Sequence, residues 1–458
     1  MTPDANDLCV FAVKRGDIQK RIDINYNLPK YTILEHKLRE RFGKKLKPLG
    51  KIVDVICGPF GSAIKNSDYQ ETGIPLIRIT NISKDGYMDY EDLIYISESL
   101  GNSLKRTQVT AGDIVISQRG SLGQCAIVDE TFEKLNISAN IIAIKNIREC
   151  SATFIRDYLL SVVGQTLLER NVSGQVQQKI TTQDIADILI PVGCDEEKLS
   201  EIVSQGYCNY RKSLTEATAL LIGIEQKVVK YFALENNKLI RLCFAIHLSD
   251  IDGVIDAKRY ASITKTQSDI KISDICDVVD EKVNVTIFEK QVIDWIRIDD
   301  LPNQPLDIEE VRTRPANEVE GTFFEVQEGD ILVARLGPTI LNQKIVMVRS
   351  LERTTIASAE FLVLRCKPGY DPEAVMAVLK TGYYRDIMYS HARGSTPSRY
   401  RLNREDMLKL PFPDIREHQE QLATEANDIR IQVKAMRAQA EQEWQEARKQ
   451  FEKELLGE

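Results

Sequence analysis

The sequence has little that would mark a stapled or metal-bound protein. Its nine cysteines stand singly at positions 9, 57, 125, 150, 194, 208, 243, 276 and 366, with no Cys-x-x-Cys pair and no adjacent His pair. An odd, scattered set excludes a disulfide frame or zinc cluster as a sequence reading and points to reduced, buried thiols. Histidine is scarce: His36, His247, His391 and His418 are all there are, none close to a repeated carboxylate or cysteine, so each reads as structural or solvent-facing. Gly (24) and Pro (15) are too few in 458 residues for a collagen-like or wholly disordered chain. No apolar run approaches the roughly 18 residues of a membrane span, and the first residues lack a basic start before their short apolar stretch. A cytoplasmic, unanchored chain is expected. Positive charge is also in deficit: 60 Lys+Arg against 68 Asp+Glu give a net −8, which argues against coating nucleic acid through bulk charge.

Catalytic signatures are missing too. The sequence contains no Gly-x-x-x-x-Gly-Lys-Ser/Thr, Gly-x-Gly-x-x-Gly, His-Glu-x-x-His or Gly-x-Ser-x-Gly. GPFGS (Gly58 to Ser62) is glycine-rich but lacks the phosphate-loop lysine. The Asn/Asp-Pro-Pro-aromatic signature of adenine methyltransferases is absent, and Asp280-Glu281-Lys282, without an upstream Pro-Asp partner, reads as a strand-exit turn.

What is present is a long duplication at an offset of about 220 residues, far beyond a solenoid period. Each half opens with an Asp and Tyr cluster, Arg21 to Tyr26 and Val254 to Tyr260. A β-branched segment with an Ile-Arg-Ile triplet follows, around Arg78 and Arg297, placing both arginines inside strand patterns as candidate ion-pair partners. Then come GDIVISQRG (Gly112 to Gly120) and GDILVARLG (Gly329 to Gly337), each leading to further strand-like runs and a helical stretch. A glycine loop, SGQVQQKIT (Ser173 to Thr181) or RGSTPSRYR (Arg393 to Arg401), closes each copy at the same distance from a proline, Gly174 to Pro191 and Gly394 to Pro411.

After each closing proline the pattern changes. Apolar residues recur in steps of three and four through Leu199, Val203, Tyr210, Leu214 and Leu221, and again through Leu422, Ile429, Val433, Met436, Trp444 and Phe451. Such spacing predicts one apolar seam on a long helix that needs a helical partner. Packing on its own domain is the commoner fate of such a helix, but two seams of equal length at equivalent points are matched to each other, antiparallel. Roughly 35 to 40 residues at 1.5 Å rise give about 55 to 60 Å.

Charge is uneven along the chain. His36 to Lys47 holds six Lys/Arg and one Glu, and His391 to Arg404 holds four Arg and no acid. Asp299 to Asp330 holds ten Asp/Glu and two Arg, a local excess equal to the whole net charge. The rest is balanced enough for basic patches to meet phosphate.

Two copies of these segments, each followed by a long amphipathic helix, resemble the specificity (S) subunit of type I restriction-modification systems over nearly the whole chain. The first half carries GPFGSAIKNSDY, GIPLIRITNIS, GDIVISQRGSLGQCAIV and NISANI; the second departs, with VVDEKVN in place of Gly-Pro-Phe-Gly and Arg-Ile-Asp-Asp in place of Arg-Ile-Thr-Asn. The resemblance implies an α+β chain: two pseudo-symmetric mixed α/β target recognition domains (1–194 and 237–413) separated by two long antiparallel, coiled-coil-like helices (195–236 and 414–458). It implies no active site and no cofactor in this chain. Double-stranded DNA and two adenine methyltransferase subunits carrying S-adenosylmethionine, docked on the helices that bear the two seams, are the implied partners, with restriction subunits as further ones. The divergence between halves implies that each reads a different half of an interrupted site. A B-DNA turn is about 34 Å, so a helical spacer would set the gap, and the methyltransferase would flip its adenine from the stack.

Direct readout needs Arg for guanine, Asn or Gln for adenine and Ser/Thr in support. The candidates are Asn81, Gln118, Arg119, Ser121, Ser173, Gln175, Gln177, Gln178 and Lys179 in the first half, and Arg335, Thr339, Asn342, Arg393, Ser395, Thr396, Ser398, Arg399 and Tyr400 in the second. About half of such a set is expected to be solvated loop side chains or phosphate contacts. Two other readings stay open: a duplicated helical scaffold holding partner proteins with incidental or lost DNA contact, and a self-sufficient nuclease or methyltransferase with an unrecognised site.

Overall fold

The computed structural model describes residues 24–171, 179–234, 269–288, 291–309 and 311–458. Of the Asp and Tyr clusters that open each repeat, Arg21 to Asp23 of the first and the whole of the second lie outside them. The chain divides into two compact units, residues 1–212 with 440–458, and residues 213–439.

The repeated Gly-Asp motif is a latch. Gly112 and Gly329 share a φ of 88°, a left-handed conformation that only glycine adopts without strain. Each donates its amide across the sheet, to the carbonyl of Val128 (2.9 Å) or Val348 (2.8 Å). The aspartate that follows accepts from the amide three residues upstream, Thr110 to Asp113 at 3.0 Å and Gln327 to Asp330 at 2.8 Å. Both carboxylates are buried and meet a cation from the neighbouring strand, Lys145 at 3.3 Å and Arg365 at 2.7 Å. A buried carboxylate needs such a partner, so the motif serves the fold and not a ligand.

Past each latch runs the centre of a four-stranded antiparallel sheet. In the first unit its order is β2 (Asp54–Cys57), β10 (Ile141–Lys145), β7 (Ile114–Ser117), β8 (Cys125–Ile127); in the second it is β12 (Cys276–Val278), β20 (Phe361–Cys366), β17 (Ile331–Ala334), β18 (Ile345–Met347). The continuous apolar runs of these strands follow from burial on both faces. Ile114, Ile116, Ile142 and Ile144 face the helices Ala152–Leu160 and Val162–Asn171, while Val115, Ile141 and Ala143 face a second sheet. The same alternation sends Ile331, Val333, Leu362 and Leu364 one way and Leu332, Ala334, Phe361 and Val363 the other.

The second sheet has five strands in each unit, but it is not the same sheet. The first unit orders β3 (Tyr69–Gln70), β5 (Ile94–Ile96), β4 (Ile74–Ile77), β9 (Leu135–Ile137), β6 (Gln108–Val109). In the second the order is β13 (Val283–Asn284), β16 (Thr322–Glu325), β19 (Thr355–Ser358), β14 (Val292–Ile296), β15 (Arg312–Pro315). Four strands correspond, around the parallel pairs β4 with β9 and β14 with β19. The fifth lies on opposite edges: β3 extends β5, the counterpart of β15, whereas β13 extends β16, the counterpart of β6. The divergence between GPFGS and VVDEKVN is thus a change of topology. Arg78 and Arg297 stand one residue beyond β4 and β14, not within them, and open a helical turn; Arg297 pairs with Asp299 at 2.9 Å. A short pairing of β1 (Leu46–Pro48) with β11 (Leu189–Pro191) closes the first unit, and a bridge between Lys271 and Pro411 does so in the second.

The seams form helices Glu196–Tyr231 (36 residues) and Gln419–Leu456 (38 residues). In the first unit they run antiparallel, with Lys198 on Glu454 at 2.8 Å and Tyr210 stacked on Trp444, centroids 6.3 Å apart. Leu199, Val203, Trp444 and Phe451 join the core beneath the first sheet. In the second unit Lys227 pairs with Glu425, and Leu221, Ile429 and Met436 pack around Val433, Ala217 and Leu306. Leu422 enters the core of that unit, and Leu214 is half-buried.

Both charged segments are engaged within the fold. In the basic stretch Lys37 pairs with Glu458 (2.7 Å), Arg39 with Glu35 and Lys47 with Glu149 (2.6 Å). In the acidic stretch Asp307 receives Arg349, Arg430 and Lys434, Asp330 receives Arg365, and Asp300 receives Arg312. Among the described residues no helix is long and apolar enough to cross a membrane.

Candidate nucleic-acid interface

The same main-chain clamp occurs in both units, directly after the central strand. Beyond β7, the Gln118 amide donates to the Asn140 carbonyl (2.9 Å) and its carbonyl accepts from Ile180 (3.1 Å); beyond β17, the Arg335 amide donates to Glu360 (3.1 Å) and its carbonyl accepts from Leu402 (2.9 Å). Each clamp fixes the exit of the strand between two neighbouring segments. An exposed turn then projects from it.

In the first unit that turn is Arg119, Gly120 and Ser121, all exposed. It closes through the Leu122 amide on Gly120 at 2.9 Å and the Gly123 amide on Ser117 at 3.2 Å. Lys179, half-buried, stands one residue before Ile180 of the clamp. Ser173, Gln175, Gln177 and Gln178 lie outside the described residues. Gln118 itself is 4% exposed, its Nε2 lying 3.8 Å from Cys57 Sγ. Asn81 is 1% exposed; its Oδ1 accepts from the Arg78 amide at 2.9 Å and its Nδ2 donates to Asp89 at 3.0 Å. That amide is committed to its own turn.

In the second unit the turn is the short helix Gly337–Leu341, and the structure brings the glycine loop to it. Arg393 and Arg401 exchange amide to carbonyl bonds of 3.0 and 2.8 Å, closing the loop, and Gly337 donates to Tyr400 at 2.8 Å. Tyr400 packs its ring 6.0 Å from Tyr389. Thr339 turns its hydroxyl to the Leu336 carbonyl (2.7 Å), while Asn342 is exposed. The stem cations have acidic partners: Arg393 meets Asp406 at 3.3 Å and Arg401 meets Glu360 at 3.0 Å. Glu360 pushes the Arg401 guanidinium pKa up. Ser395, Thr396, Ser398 and Arg399 remain exposed at the tip, with the Thr396 and Ser398 hydroxyls 3.2 Å apart. The half-buried Arg335 keeps a buried Nε without a hydrogen-bond partner.

The first turn therefore offers Arg119 with Ser121, and the glycine loop beside the second offers Arg399 with three hydroxyls. Arginine and hydroxyl groups of this kind can donate hydrogen bonds to acceptors such as guanine edges or phosphate oxygens. Among the described residues no group of three or more His, Cys, Asp or Glu is placed to hold a metal ion. Sequence reasoning passed over one neighbour of the first turn, the cleft beside Phe60. It is lined by Pro59, Phe60, Ile64, Tyr69, Arg78 and Asn140, among others, and its only outward signal was the glycine-rich GPFGS.

Residues 43–205 match the family model described as type I restriction modification DNA specificity domain. The type I restriction enzyme EcoBI specificity subunit of Escherichia coli is 27% identical over 175 residues, 38% of this chain and 35% of that protein. The matched stretch thus spans about a third of that relative's length. Among solved structures, a chain of a type I R-M system aligns over 90% of this chain and 96% of its own at 13% identity, with a TM-score of 0.38. The type I restriction-modification S subunit of M. genitalium aligns over 90% and 95% at 12% identity, with a TM-score of 0.37. Residues 43–205, which hold the first latch, the first clamp and the start of the first long helix, are the part of the chain that is similar to the type I restriction modification DNA specificity domain.

Proposed function

We propose that this chain is the non-catalytic recognition subunit of a type I restriction-modification complex: each unit reads one half of an interrupted DNA site, and adenine methyltransferase subunits dock on its helices. The observation that carries the reading is the duplicated clamp, which in the first unit holds the turn of Arg119 and Ser121 and in the second binds, through Leu402, the end of the loop that carries Arg399. Preorganised donors lose little conformational freedom on meeting a groove, and arginine is the commonest reader of guanine. The turns differ in residues and backbone, which favours two different half-sites.

Methylation, with its S-adenosylmethionine, and any cleavage then belong to partner chains. Apolar seam residues of the long helices pack inside the units, so a partner would meet the outward faces, where Ile222 (48%) and Ile431 (51%) are exposed. Comparing the methylomes of host cells with and without the gene tests the reading: loss of one bipartite motif on deletion is expected. An unchanged methylome, or methylation or cutting of DNA by the purified chain alone, would overturn it.

A further inference from the structure

We propose that Phe60 is an apolar wedge with which the first unit, and not the second, enters and unstacks one base step of its half-site. The inference rests on the DNA-reading function proposed above. Phe60 is 90% exposed, more than any other large hydrophobic residue described. A single exposed ring is no signal by itself; what singles this one out is the seat that holds it and the cleft behind it.

The tip is built to hold it there. Gly58 donates its amide to the Ile141 carbonyl at 2.8 Å, and a Cβ at this position would stand 2.1 Å from the Ser138 carbonyl oxygen. Only glycine permits so close a seat. Pro59 restricts the backbone next, and the Ala63 amide closes the turn on the Phe60 carbonyl at 2.8 Å. The loop also leaves from the right edge. It begins one residue after Cys57, whose sulfur touches Gln118 at the clamp, so Phe60 and the Arg119 turn project from one sheet edge.

The cleft behind the ring sets the occupant. Within about 430 Å³ it combines the apolar Ile64 and Tyr69 with the polar Asn140 and Arg78, and the Arg78 Nε is buried without a hydrogen-bond partner. Lys65, exposed, follows the lining residue Ile64 in the chain. One projecting ring over a cleft that holds an arginine and amides suits a ligand that alternates flat apolar faces with anionic oxygens. A protein face would need a wider apolar patch. Inserted Phe side chains part base steps in the minor groove and kink the duplex, most readily at flexible pyrimidine–purine steps. Among the described residues the second unit shows no counterpart at the equivalent place: its connection runs from the Val279 amide on Val363 (2.9 Å) through Asp280, paired with Arg404, into β13. Acidic Asp280 and Glu281 there would repel phosphate.

The test uses the complex of this chain with its co-expressed methyltransferase and duplexes of its methylated motif, with 2-aminopurine placed at successive positions. Wild type should raise the fluorescence at one step of the first half-site besides the methylated adenine. Phe60→Ala should lose that signal alone, Phe60→Leu should keep part of it, and bending read by fluorescence transfer should fall with Phe60→Ala. DNA binding with no such step, or with an equal signal in Phe60→Ala, would overturn the wedge and leave the proposed function standing. Failure of the wild-type complex to bind its motif would overturn both. Loss of the methyltransferase from purified Phe60→Ala would make the ring a protein contact and sink the wedge.

Discussion

Asp330 shows how much one side chain carries at the centre of each repeat. It is 1% exposed, takes two bonds from Arg365 at 2.8 and 2.7 Å and accepts from Gln327. Asp330→Ala is expected to destabilise the second unit by about 2–4 kcal/mol, because it strands a cation and an amide together. The chain's two tryptophans make this measurable, since Trp295 lies in the second unit and Trp444 in the first. Urea unfolding followed by Trp295 in a Trp444→Phe background should show a lower midpoint. Lys380 supplies a pH signature in the same unit. Burial pushes its pKa down to about 8, although its ammonium donates to the Pro305 carbonyl. Between about pH 8 and 10.5 the unfolded chain holds a proton that the folded chain lacks, so stability from this group rises with pH. Wild type should gain on Lys380→Met by about 2–3 kcal/mol across that window, read as the difference between their unfolding midpoints. A gap that stays constant would contradict this.

Asn81 and Gln118 mark the limit of choosing residues by type. An amide that suits adenine also suits a turn, and only the fold shows that both are buried. Arg119 and Arg399, chosen by the same logic, are exposed. Arg399→Ala should leave folding unchanged and weaken binding to one half-site by about 1–3 kcal/mol, measured by titration against duplexes in which each half-site is altered in turn.

At the scale of elements, period decided what could be read. Steps of three and four announced both long helices, and β-branched runs after Gly-Asp announced the central strands. Less legible was anything that joins distant positions. Lys37 and Glu458 are 421 residues apart, so the basic stretch looked free for phosphate. Cys276 and Cys366, single in sequence, face each other across β12 and β20 with sulfurs 3.5 Å apart. The swap of the fifth strand left no periodic trace, since β3 and β13 are two residues each. The helix pair itself yields a prediction. Trp444 is 3% exposed, packs on Tyr207 and Tyr210, and donates to Asp85 at 3.2 Å. Trp444→Ala should cost the first unit about 3–5 kcal/mol, seen as an earlier unfolding step by circular dichroism while the Trp295 transition of the second unit stays in place.

For the whole molecule, the proposed DNA reading has to fit an acidic chain. Ion pairs inside the fold engage acids such as Asp307 and Asp330 without changing the net −8, and Arg119 and Arg399 stand exposed. Exchange of the loop Arg393 to Arg401 for another sequence should therefore alter only one half of the methylated motif, with the other half unchanged in a methylome. A change in both halves would show that the units do not read independently. The clamp has one more consequence. Its bonds run from main chain to main chain, at Gln118 and at Arg335 alike, so they place no demand on the side chains of the turns they hold. Under the proposed function, substitutions at the exposed Arg119, Ser121 or Arg399 would change what is read with little effect on the fold, whereas Gly394, where a Cβ would stand 2.4 Å from the Arg399 carbonyl oxygen, has no such freedom.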